Sequence, residues 1–307
     1  ALKDCKRYVD DIVVMDDGSP IDLSELVKEV GVAVYNKFDR EFNESRDRNE
    51  LMLMAKSLNP DWIISLDHDE MMEEAFTRES AEFLMNPANP HIKSWGFHFY
   101  TFWRGRENCR RDGIWRTLAG HRMFKNEENQ FVQQGTGDKG LHCGNIHNYP
   151  EWNRRFTGYR VKHYGYADYE EQAKTKRQWY LEMDPNPDPV AVGNTDYGHL
   201  EDETGMILHP WIEDNHCTVI MMCNKISTFD FSAAVDSIRW MCKDAIFINT
   251  GTDNQEACNI AEKYGFKVIT CNMETHPDYF IQEGKWKGRI FDFSGVRNFG
   301  LDHVKTK

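Results

Sequence analysis

Asp61-Trp62-Ile63-Ile64-Ser65-Leu66-Asp67-His68-Asp69-Glu70 is the stretch that decides how this chain is read. Trp62 to Leu66 is a short apolar run that follows the Asn59-Pro60 stop, which predicts a buried strand. The acidic residues begin where that strand ends. Two carboxylates one residue apart point the same way if the strand's alternation continues through them. A hard cation such as Mn²⁺ or Mg²⁺ takes oxygen ligands of this kind and leaves positions for substrate phosphates. It then neutralises charge that builds on a departing diphosphate. Asp67 and Asp69 are therefore candidate metal ligands. An isolated Asp-x-Asp is common on solvated loops; its position beyond a buried strand gives this one weight.

Working outward, the same pattern recurs upstream. Residues 11–16, Asp-Ile-Val-Val-Met-Asp, form a β-branched run that stops at Asp17-Gly18-Ser19-Pro20. Residues 21–30 have a helical stripe (Leu23, Leu26, Val27, Val30) closed by Gly31, and residues 32–35 read as a second strand. Residues 45–58 form a helix with Leu51, Met54, Ala55 and Leu58 on one face. Strands alternating with helices predict an α/β fold with a mostly parallel, doubly wound sheet, the strands at 11–16, 32–35 and 62–66 lying side by side. Both acidic clusters then fall at carboxyl ends of strands, where open α/β sheets place ligands. Asp16 and Asp17 are candidates to accept from a nucleotide base, with Gly18 allowing close backbone approach; the plain alternative is an ordinary Asp-Gly turn.

Beyond residue 90 the pattern changes to short aromatic and polar strands, such as 93–103 and 121–124, interrupted by Gly-rich turns at 135–140. Residues 169–183 are a polar helix, and 184–216 are rich in Pro, Asp and Gly and read as a linker. A strand at 217–223, a helix at 231–242 and a strand at 245–248 follow. Residues 9–19 align without a gap on 242–252, and Arg48-Asn49 corresponds to Arg297-Asn298. The chain is thus expected to hold a domain at 1–183 lacking its first strand, a linker at 184–216, and a partial second repeat at 217–307. It opens on Ala1 inside a helical pattern, which points to a fragment of a longer protein.

Composition narrows the function. Of 307 residues, 40% are hydrophobic, enough for a globular core. A net charge of −13 with no long basic run argues against nucleic acid or an anionic membrane as partner. No run approaches the ~18 apolar residues of a membrane span. Eight cysteines without a CxxC pair predict buried thiols in a reducing, cytoplasmic setting. The aromatic content of 13%, with nine Trp, suits either core packing or the flat platforms of a sugar cleft.

Taken together, Val13-Val14-Met15-Asp16-Asp17-Gly18-Ser19, Ser45-Arg46-Asp47-Arg48-Asn49 and Asp61 to Glu70 resemble glycosyltransferase family 2. The closest likeness is to the branch of lipopolysaccharide-core glucosyltransferases and multidomain bacterial and phage enzymes. The likeness is good over 8–75, patchy over 90–180, and resumes from 217. It implies a GT-A (nucleotide-diphospho-sugar transferase) Rossmann-like fold. The implied activity is metal-dependent sugar transfer from an NDP-sugar, UDP-sugar by default, to a glycan or other hydroxyl acceptor, with inversion. It implies nucleotide contacts at Asp16 or Asp17 and Arg48, and metal or diphosphate contacts at Asp67 and Asp69. His163, in Val161-Lys162-His163-Tyr164-Gly165-Tyr166, resembles a late metal-binding His, and Lys174, Lys176 and Arg177 on the next helix are candidates for the diphosphate; the plain alternative is a solvated basic face. An inverting transferase needs a base for the acceptor hydroxyl. Where the branch carries His-Glu, this chain has His142-Cys143, so Asp138 or His142 is the candidate base. In the second repeat Asn249-Thr250 replaces Asp16-Asp17, which predicts a degenerate copy. The competing readings are a nucleotidyltransferase and a non-catalytic sugar- or nucleotide-binding module.

Overall fold

The computed structural model describes residues 1–87, 90–128, 132, 135, 138–145, 150–184, 197–213, 218–223, 244–251, 254–272, 274–280, 290, 296 and 299–300. The chain divides into two compact units, Ala1–Glu213 and Asp214–Lys307.

The first unit is mixed α/β. Strand β1 (Val13–Asp16) leads through helix α2 (Ser24–Val30), the short helix α1 (Leu2–Cys5) preceding both, to β2 (Val34–Lys37). β1 and β2 pair in parallel, Val13 with Val34 and Asp16 with Lys37. Gly31 ends α2 in the left-handed region (φ 71°), its N–H reaching the carbonyls of Val27 and Lys28. A side chain there would be strained, so glycine is what lets the chain turn back into β2. Helix α3 (Glu44–Lys56) starts at Asn43, whose side chain accepts from the Arg46 N–H.

The third strand departs from expectation. β3 (Trp62–Ile64) does not join β1 and β2 but pairs antiparallel with β7 (Ala119–Lys125), Trp62 opposite Lys125. It belongs to a seven-stranded sheet with β4 (Glu70–Met72), β5 (Ser94–Trp103), β6 (Asn108–Arg110), β8 (Arg154–Tyr166) and β9 (Leu208–Pro210). Within that sheet only β5 and β8 run parallel; the other pairings are antiparallel. The expectation of a mostly parallel sheet is corrected for this unit. A continuous apolar run such as Trp62-Ile63-Ile64 reads the same whichever way its neighbour runs, and direction is set by β7, far along the chain.

β5 is the spine of the sheet. β7 pairs with its first half and β6 with its end, while β8 runs along its other edge. Phe97 on β5, Val161 on β8, Met72 on β4 and Phe76 just beyond it are fully buried. Helix α4 (Arg78–Met85) carries a reciprocal cap between Thr77 and Ser80, and its Leu84 carbonyl accepts from the Trp95 indole at 2.7 Å. Helices α5 (Gly113–Thr117) and α6 (Tyr169–Met183) complete the unit. Part of the expected linker is built into it as well. Tyr197 and Leu200 pack with Trp103, Trp115 and Tyr166, and β9 extends the sheet at β6. Residues 185–196 and 214–216 of that stretch lie outside the described residues.

The second unit holds a three-stranded parallel sheet. β10 (Thr218–Cys223), β11 (Asp244–Asn249) and β12 (Lys267–Thr270) pair in that order, both pairs parallel. Helix α7 (Gln255–Lys263) crosses from β11 to β12 and buries Ala257 and Ala261 against Phe247 and Phe266. The repeat read in the sequence has a structural counterpart. β11-α7-β12 matches β1-α2-β2 in direction, the same spacing separates the paired residues (Ile246 with Lys267, Val13 with Val34), and Gly265 takes the left-handed conformation of Gly31. The expected helix at 231–242 and the Arg297-Asn298 pair lie outside the described residues.

Candidate functional site

Two strand registers build the centre of the site. β4 runs against β8 with Glu70 opposite His163, and the Tyr164 N–H donates to the Asp69 carbonyl at 2.8 Å. β8 runs along β5 with His163 beside Thr101. The first register sets Asp69 Oδ2 3.4 Å from His163 Nε2; the second sets Thr101 Oγ1 3.2 Å from His163 Nδ1. The hydroxyl orients the imidazole while the other ring nitrogen faces the carboxylate, as a supporting partner does for a metal-binding His. From α6, Lys176 brings its ammonium 3.7 Å from the same Oδ2, above the Tyr166 ring.

Gly165 leaves the space they share. A Cβ on it would lie 2.6 Å from Asp69 Oδ2 and 2.8 Å from both His163 Nε2 and Lys176 Nζ. Burial pushes the Asp69 carboxyl up, but the His163 hydrogen bond and the His163, Lys176 and His68 charges outweigh it, holding the group well below the usual carboxylate range.

Asp67 sits differently. Its Oδ1 takes Arg48 Nη1 at 2.9 Å and its Oδ2 takes Arg48 Nη2 at 3.3 Å, with Arg122 Nη2 3.9 Å away. Burial favours the neutral acid, yet the Arg48 and Arg122 guanidiniums keep Asp67 ionised below the ordinary range. Glu70 accepts Arg122 through both oxygens at 2.7 and 2.6 Å and the Asp67 N–H at 3.1 Å. The acidic loop is thus braced by two arginines from α3 and β7.

At the end of β1 the two acids also divide. Asp16 is buried and accepts the Ser19 N–H at 2.7 Å and the Tyr35 hydroxyl at 2.9 Å, with Lys37 3.7 Å away. Burial raises it, but those hydrogen bonds and Lys37 bring it below its ordinary value. Asp16 therefore holds the turn. Asp17 is exposed, and the partial desolvation of its carboxyl, then the Asp47 charge, raise it.

Helix α3 fixes the segment that carries the candidate bases. Asn49 exchanges hydrogen bonds with both backbone groups of Val132, at 3.0 and 2.6 Å. Ser45 Oγ donates to the Gly140 carbonyl and accepts the Gly135 N–H, both at 2.9 Å. These clamps deliver Asn145 to Arg48, which donates to its side-chain oxygen, and bring the His142 N–H to Glu44 Oε2 at 3.0 Å. Glu44 in turn accepts Arg48 Nε at 2.8 Å. Asp138 is exposed and touches Asn43 only through its backbone carbonyl, at 3.2 Å. Cys143 has its thiol pushed up to about 11 by burial, then by Glu44, which disqualifies it as a base near neutrality.

Among the sequence candidates, then, Asp69, His163 and Lys176 converge, while Asp67 and Arg48 pair beside them. Asp16 is a structural clamp and Asp138 points to solvent. Arg177 is turned away to Glu201 at 2.7 Å, and nothing is described of the Lys174 side chain. Sequence reading missed Glu44, Thr101, Arg122 and Asn145. Only Glu44 carried a local signal, as the residue four before Arg48 on a helix.

The first unit is a mixed α/β domain with an acidic, cation-braced site at the end of a buried strand. Comparison with protein-family models and with curated proteins returns no match. Among the described residues no group of three or more His, Cys, Asp or Glu side chains is gathered for a metal, and no helix is long and apolar enough to cross a membrane. The donor set at Gly165 is one carboxylate oxygen and one imidazole nitrogen. That fits Mn²⁺ or Mg²⁺ where phosphate oxygens and water fill the remaining positions.

Proposed function

We propose that the first unit is a GT-A-type glycosyltransferase that moves a sugar from a nucleoside diphosphate sugar to a hydroxyl acceptor with inversion. The observation that carries the reading is the convergence of Asp69, His163 and Lys176 on the gap above Gly165. A carboxylate and an imidazole suit a divalent cation, and an ammonium beside them suits a diphosphate. The β1-α2-β2 unit with acids at its strand end supports the nucleotide-binding half of the reading.

In this proposal Asp69 and His163 hold the cation, which supplies charge neutralisation at the leaving diphosphate. Lys176 meets the diphosphate directly. Exposed Asp17 accepts from the nucleobase, while Asp16 keeps the turn shaped for it. Arg48 and Arg122 position the acidic loop through Asp67 and Glu70. The second unit, with Asn249-Thr250 at the matching strand end, is read as a degenerate copy that lacks the nucleotide carboxylate. The chain works, on this reading, in the cytoplasm.

Calorimetric titration with UDP-glucose, UDP-galactose and UDP-N-acetylglucosamine, with and without Mn²⁺, tests the reading. Cation-dependent binding that Asp69→Asn weakens strongly is the expected result. Binding of none of these donors, nor of GDP- or dTDP-sugars, under either condition overturns it.

A further inference from the structure

His142, Tyr197 and Asp184 form a hydrogen-bonded series that the site described above leaves unused. Tyr197 is buried, holds the left-handed conformation at φ 55°, and stacks on Tyr180 with centroids 4.9 Å apart. A tyrosine in that region is strained, and its surroundings over-determine it. Its hydroxyl lies 2.9 Å from His142 Nε2 and 3.3 Å from Asp184 Oδ2. His142 is itself left-handed at φ 59°, and its ring stacks on both Tyr180 and Tyr197.

The donor and acceptor count fixes the direction of the series. A carboxylate only accepts, so the Tyr197 O–H donates to Asp184. The Tyr197 oxygen must then accept, and the proton it accepts is the one on His142 Nε2. In neutral imidazole the other nitrogen is left bare. Among the described residues, His142 Nδ1 has no hydrogen-bond partner. Burial raises the Tyr197 phenol, and Asp184 raises it further, which keeps the O–H intact. Burial lowers the His142 imidazole against the opposing pull of Glu44 and Asp184, so it rests neutral.

We propose that Tyr197 and Asp184 are positioning residues that lock His142 in the tautomer with a bare Nδ1, which serves as the general base for the acceptor hydroxyl. This rests on the transferase reading above. The residue is tied to the acidic loop through its backbone: its N–H donates to Glu44, Glu44 accepts from Arg48, and Arg48 donates to Asp67. In the transfer step the acceptor O–H proton passes to Nδ1. The acceptor oxygen forms a bond to the anomeric carbon as that carbon's bond to the diphosphate oxygen breaks, and the diphosphate keeps the electron pair. The imidazolium formed is stabilised through Nε2–H, the Tyr197 hydroxyl and the Asp184 carboxylate.

The tautomer is read without any substrate, by two-bond ¹H–¹⁵N correlation on protein labelled at histidine, with His142→Gln for assignment. The expected spectrum has a protonated Nε2 and a bare Nδ1 at pH 8; averaged or reversed nitrogen shifts overturn the relay. Tyr197→Phe keeps the ring stack and removes the oxygen. It should average the two tautomers and lower kcat for sugar transfer by roughly 10–100-fold. Donor KM should stay unchanged, and the acid limb of kcat should move with the His142 titration. Unchanged kcat and an unchanged tautomer in Tyr197→Phe overturn the proposal. Absence of donor binding by the unaltered protein instead overturns the transferase reading, and the spectrum still decides the relay.

Discussion

The Arg48 guanidinium and the Asp67 carboxylate face each other as a two-pronged pair, Nη1 to Oδ1 at 2.9 Å and Nη2 to Oδ2 at 3.3 Å. A fork of this shape fits a carboxylate in a way that a lysine ammonium cannot. Arg48→Met should lower unfolding stability by about 1–3 kcal/mol, because Asp67 and Glu44 lose their shared partner. Arg48→Lys should recover less than half of that. Urea denaturation with linear extrapolation checks both; wild-type stability in Arg48→Met would show the pair to be idle.

The same pairing separates the two acids by role. Asp69→Asn should weaken Mn²⁺-dependent donor binding on the order of 100-fold, because it removes a direct ligand. Asp67→Asn should cost about 10-fold, the effect of an altered supporting partner. Calorimetry on the two single variants tests the order, and a larger loss in Asp67→Asn reverses the assignment of roles.

Gly165→Ala offers a test that removes no functional group. The added methyl would stand in the space where Asp69, His163 and Lys176 meet. Those contacts are flexible side-chain ends, so they move aside and the fold should survive with Tm lowered by no more than about 5 °C. Cation-dependent donor affinity should fall by at least about tenfold, since the three groups no longer converge. Retained affinity at unchanged Tm would mean that the ligand binds elsewhere.

His121 governs a pH dependence of stability. Its ring accepts or donates at Ser94 Oγ, 2.8 Å away, and burial, then the Arg154 and Arg122 charges, hold its pKa down at about 4. The unfolded chain takes up this proton as pH falls below the ordinary 6.5, whereas the folded chain resists until about 4. The contribution is therefore full above pH ~6.5 and lost on acidification towards ~4, about 3 kcal/mol in all. Urea midpoints measured from pH 7 to 4.5 should show this slope, and His121→Gln should flatten it.

The parts of the site legible in the sequence were those with local cause. Asp67 and Asp69 announce themselves because an apolar run ends on them, and Lys176 because it lies on a polar helix. The direction of β3 was hidden, since Trp62-Ile63-Ile64 carries no mark of the strand that will lie beside it. Asp16 and Asp17 look equivalent as letters; only the Tyr35 hydroxyl and the Ser19 N–H, supplied by the fold, tell them apart. Tyr197 was invisible for a further reason. It lies in a stretch whose Pro and Gly content resembles a tether, and its value depends on contacts with Trp103 and His142, about 90 and 55 positions away.

The stretch running from Tyr197 to Glu213 sets where this unit can be cut. It covers Trp103, Trp115 and Tyr166, closes the sheet beyond β6, and gives Arg160 the carbonyls of Ile212 and Glu213 at 3.0 and 2.9 Å. Arg160 also forms the buried pair with Glu73, its Nε 2.7 Å from Oε2. A protein ended at Met183 would wet three large rings and strip a buried guanidinium of two acceptors. Its smallest protease-resistant core should accordingly reach Glu213, and a nick placed before Tyr197 should be tolerated only while both pieces stay bound.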